Sequence, residues 1–168
     1  PWQRCNPGGD ADGIASRIAA LPWVGAVEVR RGWPHDIVLA IEPRVAVARL
    51  AGTASVVDAG GSAFEPVTPL PSRLPSVSAQ GPALVAALTV LGSLPGDLST
   101  RVATIQAATP DSVELTLRNG ALVRWGSADQ GPAKVEVLRA LLPRRPLMID
   151  VSAPTAPSTF GERGQTTR

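Results

Sequence analysis

The chain has 168 residues, of which 44% are apolar, and its net charge is only +2. This length and composition suffice for one folded domain or two small ones without help from metals. The small net charge argues against the basic surface that nucleic-acid-binding proteins need. Cys5 is the single cysteine, which excludes an internal disulfide and a cysteine-based metal site. No stretch has the length or pattern of a membrane span or a signal peptide.

The first predicted element is a helix of about ten residues. Residues 1–10 contain turn formers and no periodicity, so the helix starts after them. Asp12 suits its N-cap, Ile14 and Ile18 follow at helical spacing, and Pro22 is a suitable stop.

A β-hairpin is predicted next. Residues 26–29 alternate as a strand, and residues 31–36 contain Gly32 and Pro34, which favour a turn. Residues 37–42 return as a second, more apolar strand. We therefore expect a hairpin that packs on the preceding helix.

The sequence pattern of the next residues predicts short strands and a proline-rich connection. Strands are predicted within 45–50, 55–58 and 62–64. The segment 65–82 contains many prolines, which remove amide donors and favour an extended surface connection. A helix follows over 82–94, with Leu residues along one stripe.

The strongest local signal is Asn119-Gly120 between two alternating runs. This dipeptide is typical of a type I′ hairpin turn, which would place Leu117 opposite Leu122. A helix is then expected over 131–143, followed by a last strand over 146–152.

Candidate catalytic residues are few. A nucleophile activated by histidine would have to use His35, which lies in the predicted turn and is better explained as a solvated turn residue. Asp58 and Asp150 could form an acid and base pair, yet both also suit strand ends. Arg30 and Arg31 could form a basic patch but are more typical of a solvated strand edge. No metal-ligand spacing and no phosphate-binding glycine loop are present.

Several short motifs occur in an order and spacing that are specific in combination. They are "LPWVGAVEVRRGWPHDIVLAIEPRVAVA", "VVDAGGSAF", a proline stretch, "VELTLRNGALVRWG" followed by Lys134, and "MIDVSAP". Together they cover residues from about 14 to 154. In this order the motifs resemble those of the FtsQ/DivIB cell-division family.

The resemblance implies an α+β fold. Residues 1–46 would form a partial POTRA-type domain made of a helix and a hairpin, and residues 47–154 a mostly antiparallel β domain with two helices. Residues 155–168 have lost the apolar pattern, so we expect a flexible tail there. The family also has a single N-terminal transmembrane helix, which is not in this sequence, and both domains lie outside the cytoplasmic membrane at the division septum.

The resemblance further implies a non-enzymatic divisome scaffold without a cofactor. Such proteins bind FtsB and FtsL and help to regulate septal peptidoglycan synthesis. In the family, FtsB adds a β-strand to the last strand of the β domain. We map this strand onto the candidate partner-binding residues Met148, Ile149, Asp150, Val151, Ser152, Ala153 and Pro154.

Other interpretations remain at this point. The strand that ends at Pro154 could be an ordinary edge strand blunted by that proline. The chain could be a POTRA-bearing module that binds polypeptides during secretion, or a small cell-wall hydrolase that uses Asp58 or Asp150. The family's Glu-Arg-x-Pro is replaced here by Glu42-Pro43-Arg44, which should end the strand earlier and alter how the two domains join.

Overall fold

The computed structural model describes residues 11–32, 36–67 and 69–162. Its helices are α1 (Ala11–Ala19), α2 (Gly81–Ser93), α3 (Gly96–Ser99) and α4 (Gly131–Leu141), and a 3-10 helix spans Leu142–Arg144. Its strands are β1 (Val24–Gly32), β2 (Asp36–Pro43), β3 (Ala48–Leu50), β4 (Val56–Val57), β5 (Ala63–Phe64), β6 (Ser76–Ser78), β7 (Val102–Ala107), β8 (Val113–Leu117), β9 (Leu122–Gly126), β10 (Pro146–Asp150) and β11 (Ser158–Glu162). The predicted α+β class is confirmed.

The N-terminal part is a two-stranded sheet with a helix beside it. β1 and β2 pair antiparallel, with Val27 opposite Ile41 and Val29 opposite Leu39, and α1 packs on β1. Both strands are longer than predicted because backbone pairing continues to Gly32 opposite Asp36. The predicted turn at Trp33, Pro34 and His35 lies outside the described residues.

The remaining strands form one nine-stranded sheet in the order β11-β10-β9-β8-β7-β6-β3-β4-β5. Most neighbours are antiparallel. The parallel pairs are β9 with β10, β6 with β7, and β3 with β6. A parallel pair needs a crossover, and α4 supplies it between β9 and β10. The predicted domain boundary at residues 46–47 falls between the end of β2 and the start of β3.

The core lies between this sheet and the helices α2 and α4. α2 packs on β7 and β8, and α4 packs on β10 and α2. The central strands contribute Ile105, Leu115, Val123, Trp125 and Ile149, all with no exposed surface. Replacing a buried Trp or Ile with Ala typically costs about 2–5 kcal/mol, so this core is the main source of stability.

Two central strands differ from the prediction. The proline-rich segment 65–82 was expected to be a surface connection, but Ser76–Ser78 form β6 in the middle of the sheet. No proline lies within these three residues, so they can pair on both sides, and Val77 is buried. The unpredicted strand β7 is next to it. β6 depends on two neighbours that are distant in sequence, β3 and β7.

The register of the β8–β9 hairpin is shifted by one residue from the prediction. Thr116, and not Leu117, lies opposite Leu122. Gly120 has a φ of 81° and its N–H donates to the carbonyl of Leu117 at 2.7 Å. Because the positive φ falls on the glycine alone, the turn is a type I turn with a glycine bulge and not type I′.

The expected flexible tail is wrong for residues 158–162. These residues form β11, which pairs antiparallel with β10 and places Thr159 opposite Ile149 and Phe160 opposite Met148. A second strand on the far side of β10 satisfies backbone groups that would otherwise face solvent. In the described ranges, no helix combines the length and apolar character needed to cross a bilayer.

Candidate protein-binding edge

β11 is one outer strand of the nine-stranded sheet. Its five residues pair with β10 on one side, and no described strand lies on the other side. The unpaired N–H and C=O groups of such an edge can pair with an added strand. This edge is therefore a site at which another polypeptide can extend the sheet.

The edge exposes apolar side chains. Phe160 in β11 is 69% exposed, and Leu147 in β10 is 44% exposed. Met148, which is paired with Phe160, is half-buried. Aromatic side chains are enriched among the residues that dominate protein interfaces, whereas exposed edge strands without partners usually carry charges. Phe160 is the strongest anchor candidate on this edge.

A glycine fits β11 closely against β10. Gly161 has a φ of 64°, in the region that favours glycine, and a Cβ added there would lie 2.8 Å from Leu147 Cδ1. An alanine would therefore be strained and would push against Leu147. This local fit helps to keep β11 on the sheet.

The predicted partner-binding residues lie beside this edge and not on it. Met148, Ile149 and Asp150 belong to β10, which is paired with β9 on one side and β11 on the other. The expectation that this strand has at most one neighbour within the chain is therefore wrong. Val151 is buried, and its N–H donates to the carbonyl of Arg124 at 2.9 Å.

The other three predicted residues form the turn into β11. Ser152 and Ala153 are exposed, Pro154 is half-buried, and the N–H of Ala156 donates to the carbonyl of Ala153 at 3.0 Å. Asp150 Oδ1 accepts hydrogen bonds from the Ser152 N–H at 2.9 Å and from its Oγ at 2.6 Å. The segment thus holds β11 in place.

The carboxyl of Asp150 has a structural explanation. Burial alone raises its pKa, but the side-chain and backbone hydrogen bonds from Ser152 and the nearby Arg124 lower the pKa below the ordinary value of 3.8. Arg124 Nη1 lies 3.8 Å from Asp150 Oδ2. An ionised carboxylate that accepts turn hydrogen bonds is poorly suited to act as an acid.

The opposite edge of the sheet, β5, is short and covered. It has two residues, and Phe64 is buried. The guanidinium of Arg44 lies 6.0 Å from the centre of the Phe64 ring and forms an ion pair with Asp58. Proline residues follow at 66, 69 and 71. This edge offers few free backbone groups to a partner.

Arg44 also links the two sheets. Its N–H donates to the carbonyl of Trp23 at 2.8 Å, and its Nε donates to the carbonyl of Pro22 at 3.0 Å. The side chains of Arg44 and Asp58 are 27% and 16% exposed, so their ion pair is partly shielded from water. Arg44 therefore joins the segment before β1 to the turn after β4.

The pKa of Asp58 reflects this pairing. Burial alone raises the pKa of the carboxyl, but hydrogen bonds from Arg44, Ser62 and Gly60, together with the Arg44 charge, lower it below the ordinary value of 3.8. The N–H of Ser62 donates to Asp58 Oδ1 at 2.8 Å. Asp58 is thus part of the link between the sheets.

The hydrolase hypothesis is not supported by the geometry of its carboxylates. Asp58 follows β4 and Asp150 ends β10, with five strands between these two strands. At the usual strand spacing this corresponds to roughly 30 Å, so the two groups cannot share a cleft. Across the described ranges, no group of three or more His, Cys, Asp or Glu residues could hold a metal ion.

The basic residues of the hairpin have an ordinary explanation. Arg30 Nε donates to Glu28 Oε1 at 2.9 Å, and both side chains are mostly exposed. Such surface pairs contribute little energy. His35 and the side chain of Arg31 lie outside the described residues.

β11 is the edge strand that was not predicted from the sequence. The signal was weak but present, since "STF" joins polar, β-branched and aromatic residues directly before a glycine. The surrounding prolines and polar residues concealed it. What identifies β11 as a strand is its pairing with β10, which composition does not reveal.

Comparison with known proteins identifies two family matches along the chain. Residues 7–44 match the model of the POTRA domain of FtsQ type. Residues 46–152 match the model of the C-terminal region of cell division protein FtsQ/DivIB. The second match alone covers more than half of the chain.

Three relatives named cell division protein FtsQ illustrate the similarity. The protein from Streptomyces venezuelae is 37% identical, with 90% of this chain and 62% of the relative covered. The protein from Streptomyces collinus is 34% identical, with 90% and 66% covered, and that from Mycobacteroides abscessus is 33% identical, with 89% and 50% covered. The chain thus spans about half to two thirds of the length of these relatives.

Proposed function

Since the chain belongs to the FtsQ/DivIB family of cell-division proteins, we propose that it is a non-enzymatic divisome scaffold that binds FtsB and FtsL. In this role it helps to regulate septal peptidoglycan synthesis. The protein is held at the cell membrane by an N-terminal helix, and the region described here lies outside the cytoplasmic membrane at the septum.

The open edge of β11 is the observation that supports the binding mode. FtsB adds a strand to the outer side of β11, so that backbone hydrogen bonds provide the pairing. Phe160 and Leu147 contribute apolar contacts next to the added strand. Backbone pairing tolerates sequence divergence, so this mode does not require particular side chains along the whole strand.

The segment Met148–Pro154 supports the same site from the strand next to β11 and from the turn between the two strands. β10 supports β11 from inside, and Met148 lies beside Phe160 on the pairing register. The exposed turn at Ser152 and Ala153 lies at one end of the added strand. Direct pairing of a partner with β10 would first require β11 to leave the sheet.

The experiment is a calorimetric titration of the chain with soluble segments of FtsB and FtsL from the same organism. We expect binding of the FtsB segment and no binding of extended peptides of unrelated sequence. Equal binding of unrelated peptides would favour a general polypeptide-binding module, and no binding at high micromolar concentration would contradict the proposal.

Adjacent proline substitutions locate the pairing edge. Successive amides of a strand point to opposite sides. One of the variants Ser158→Pro and Thr159→Pro therefore removes an N–H that points to the open edge, and the other removes an N–H that points to β10. We expect one variant to lose partner binding with unchanged unfolding temperature. The other should loosen β11 itself. Full binding by both variants would exclude pairing along β11.

A further inference from the structure

Five arginines converge around a cleft at one end of the nine-stranded sheet. Arg73 precedes β6, Arg101 precedes β7, Arg118 lies in the β8–β9 turn, Arg139 lies on α4, and Arg145 precedes β10. We call this the arginine cleft. It gathers a third of the fifteen arginines in the chain, so a near-neutral protein has a strongly cationic local surface.

The cleft consists of two adjoining hollows. One has a volume of about 740 Å³ and the other about 430 Å³. Asp97, Arg101, Asn119 and Leu142 line both of them. The shared walls make one elongated groove, which suits an extended ligand better than a compact one.

Positive charge exceeds negative charge in the cleft. Asp97 is the acidic residue among its lining residues, and its Oδ1 accepts a hydrogen bond from Arg139 Nη2 at 2.6 Å. Among the described residues, Arg139 is the member of the five that forms an ion pair. The hydrogen bond from Arg139 is the main reason that the pKa of Asp97 lies below 3.8. In the described ranges, the guanidiniums of Arg73, Arg101 and Arg145 form no ion pair, so they are available to external carboxylates.

The walls of the cleft are held in place. Arg118 Nε donates to the carbonyl of Thr100 at 2.9 Å, and its Nη2 donates to the carbonyl of Arg73 at 2.8 Å. Arg145 has a φ of 53°, an uncommon conformation for a residue other than glycine. Its N–H donates to the carbonyl of Leu142 at 3.1 Å. This fixed turn brings Arg145 to the rim.

The lining favours an acidic peptide over a phosphate-rich ligand. Leu98 and Leu117 line the cleft but are buried, and the half-buried Leu142 offers apolar surface between the charges. Asp97 in the middle would repel closely spaced phosphates. A peptide can place a neutral or apolar side chain there and its carboxylates near the arginines.

From this arrangement we infer that the arginine cleft is a second protein-binding site, which takes an extended acidic segment of a partner protein. The carboxylates of the acidic segment pair with Arg101 and Arg145, and the apolar side chains of the segment lie against Leu142. The inference goes beyond strand addition at β11. The cleft lies at the end of the sheet where β10 begins and β11 ends, because Arg145 precedes Pro146, which pairs with Glu162.

The test uses the full chain and a fluorescein-labelled peptide of alternating Glu and Ala residues. Fluorescence anisotropy is measured in about 50 mM NaCl, where surface charges are only weakly screened. The same peptide with Gln in place of Glu is the charge control. Inorganic triphosphate is the competing polyanion.

The cleft variant is the double substitution Arg101→Ala and Arg145→Gly. Glycine accepts the φ of 53° at position 145, so the charge is lost without backbone strain. The matched control is Arg30→Ala with Arg49→Ala, which removes the same charge from exposed positions outside the cleft. Unfolding temperatures of all three proteins establish that they are folded.

We expect the Glu peptide to bind the wild-type chain, and the cleft variant to lose roughly tenfold in affinity. The control variant should lose less than about twofold, and the Gln peptide should not bind. Equal losses in both variants would overturn the inference, since binding would then reflect net charge. Triphosphate binding without peptide binding would overturn it in favour of a phosphate ligand. Strand addition at β11 would be unaffected by either result.

Discussion

The two edges of the nine-stranded sheet differ in length, exposure and cover. β5 has two residues, and its Phe64 is buried beneath Arg44. β11 has five residues and exposes Phe160. Natural sheets usually protect their edges by shortening or covering them. The protected edge faces the hairpin, and the unprotected edge is the one at which we propose that a partner binds.

The difference also separates two uses of arginine. At the covered edge, the Arg44 side chain forms an ion pair with Asp58 and donates a hydrogen bond to the carbonyl of Pro22. In the arginine cleft, Arg101 and Arg145 face a groove with few acids. Internal pairing stabilises the fold, whereas unpaired guanidiniums favour external ligands.

Phe160→Asp should have the largest effect, because it gives the open edge the charge that protected edges carry. We expect FtsB affinity to fall by about 30-fold or more, as for other aromatic anchors. The unfolding temperature should stay nearly constant because Phe160 is largely exposed. Calorimetric titration measures the affinity. Val85→Asp, on the exposed side of α2, is the control and should bind normally.

Arg44→Ala should weaken the covered edge by about 2 kcal/mol, since it leaves the Asp58 carboxylate without its charged partner. Urea unfolding measures this change. Arg49→Ala, at an exposed position on β3, should change the free energy of unfolding by less than about 0.5 kcal/mol. Similar values for the two variants would contradict the link between the sheets.

Arg44→Ala should also change how the stability of the fold depends on acid pH. The pKa of Asp58 is lower in the folded than in the unfolded protein, so its contribution is present above the unfolded pKa and is lost as pH falls through the folded one. Stability should therefore fall less steeply below about pH 4 in Arg44→Ala. Parallel pH profiles for both proteins would show that Arg44 does not tune this carboxyl.

Gly161→Ala should loosen β11 by about 1 kcal/mol, because a side chain is strained at its positive φ and meets Leu147. Limited proteolysis between β10 and β11 should then be faster, while the core remains stable. Gly92→Ala is the control. A Cβ at position 92 meets nothing within 4 Å, so that helix should gain stability.

Lys134→Met should have the smallest effect. It tests the helix α4, which packs on β10 next to the open edge. Lys134 is buried, its Nζ donates to the carbonyl of Ser127 at 2.9 Å, and burial lowers its pKa from 10.5. The unfolded chain therefore binds this proton more tightly, so wild-type stability should rise as pH increases towards 10.5. The variant should lack this rise, which thermal unfolding at alkaline pH measures.

Local signals in the sequence predicted the elements that depend on neighbouring residues. The helices over 82–94 and 131–143 and the hairpin around Gly120 were identified from periodicity and turn chemistry, and the motif order identified the family. The one-residue register shift of the hairpin depended on which turn residue takes the positive φ.

Strands that depend on distant partners were not predictable in this way. Val77 lies in a three-residue strand among prolines, and its pairing with Leu50 and Ile105 comes from remote segments. β11 was missed for the same reason, and with it the true edge of the sheet. The predicted partner-binding residues Met148–Pro154 therefore lie on the strand next to the edge and in the turn that follows it.

Amide hydrogen exchange along residues 146–162, with and without the FtsB segment, tests most directly whether the partner pairs with β11. We expect amides of β10 to be already protected in the free chain and FtsB to add protection within Ser158–Glu162. Loss of protection in β11 together with new protection in Pro146–Asp150 would mean that the partner displaces β11. Binding of the FtsB segment without any change in protection along residues 146–162 would contradict the proposed edge altogether.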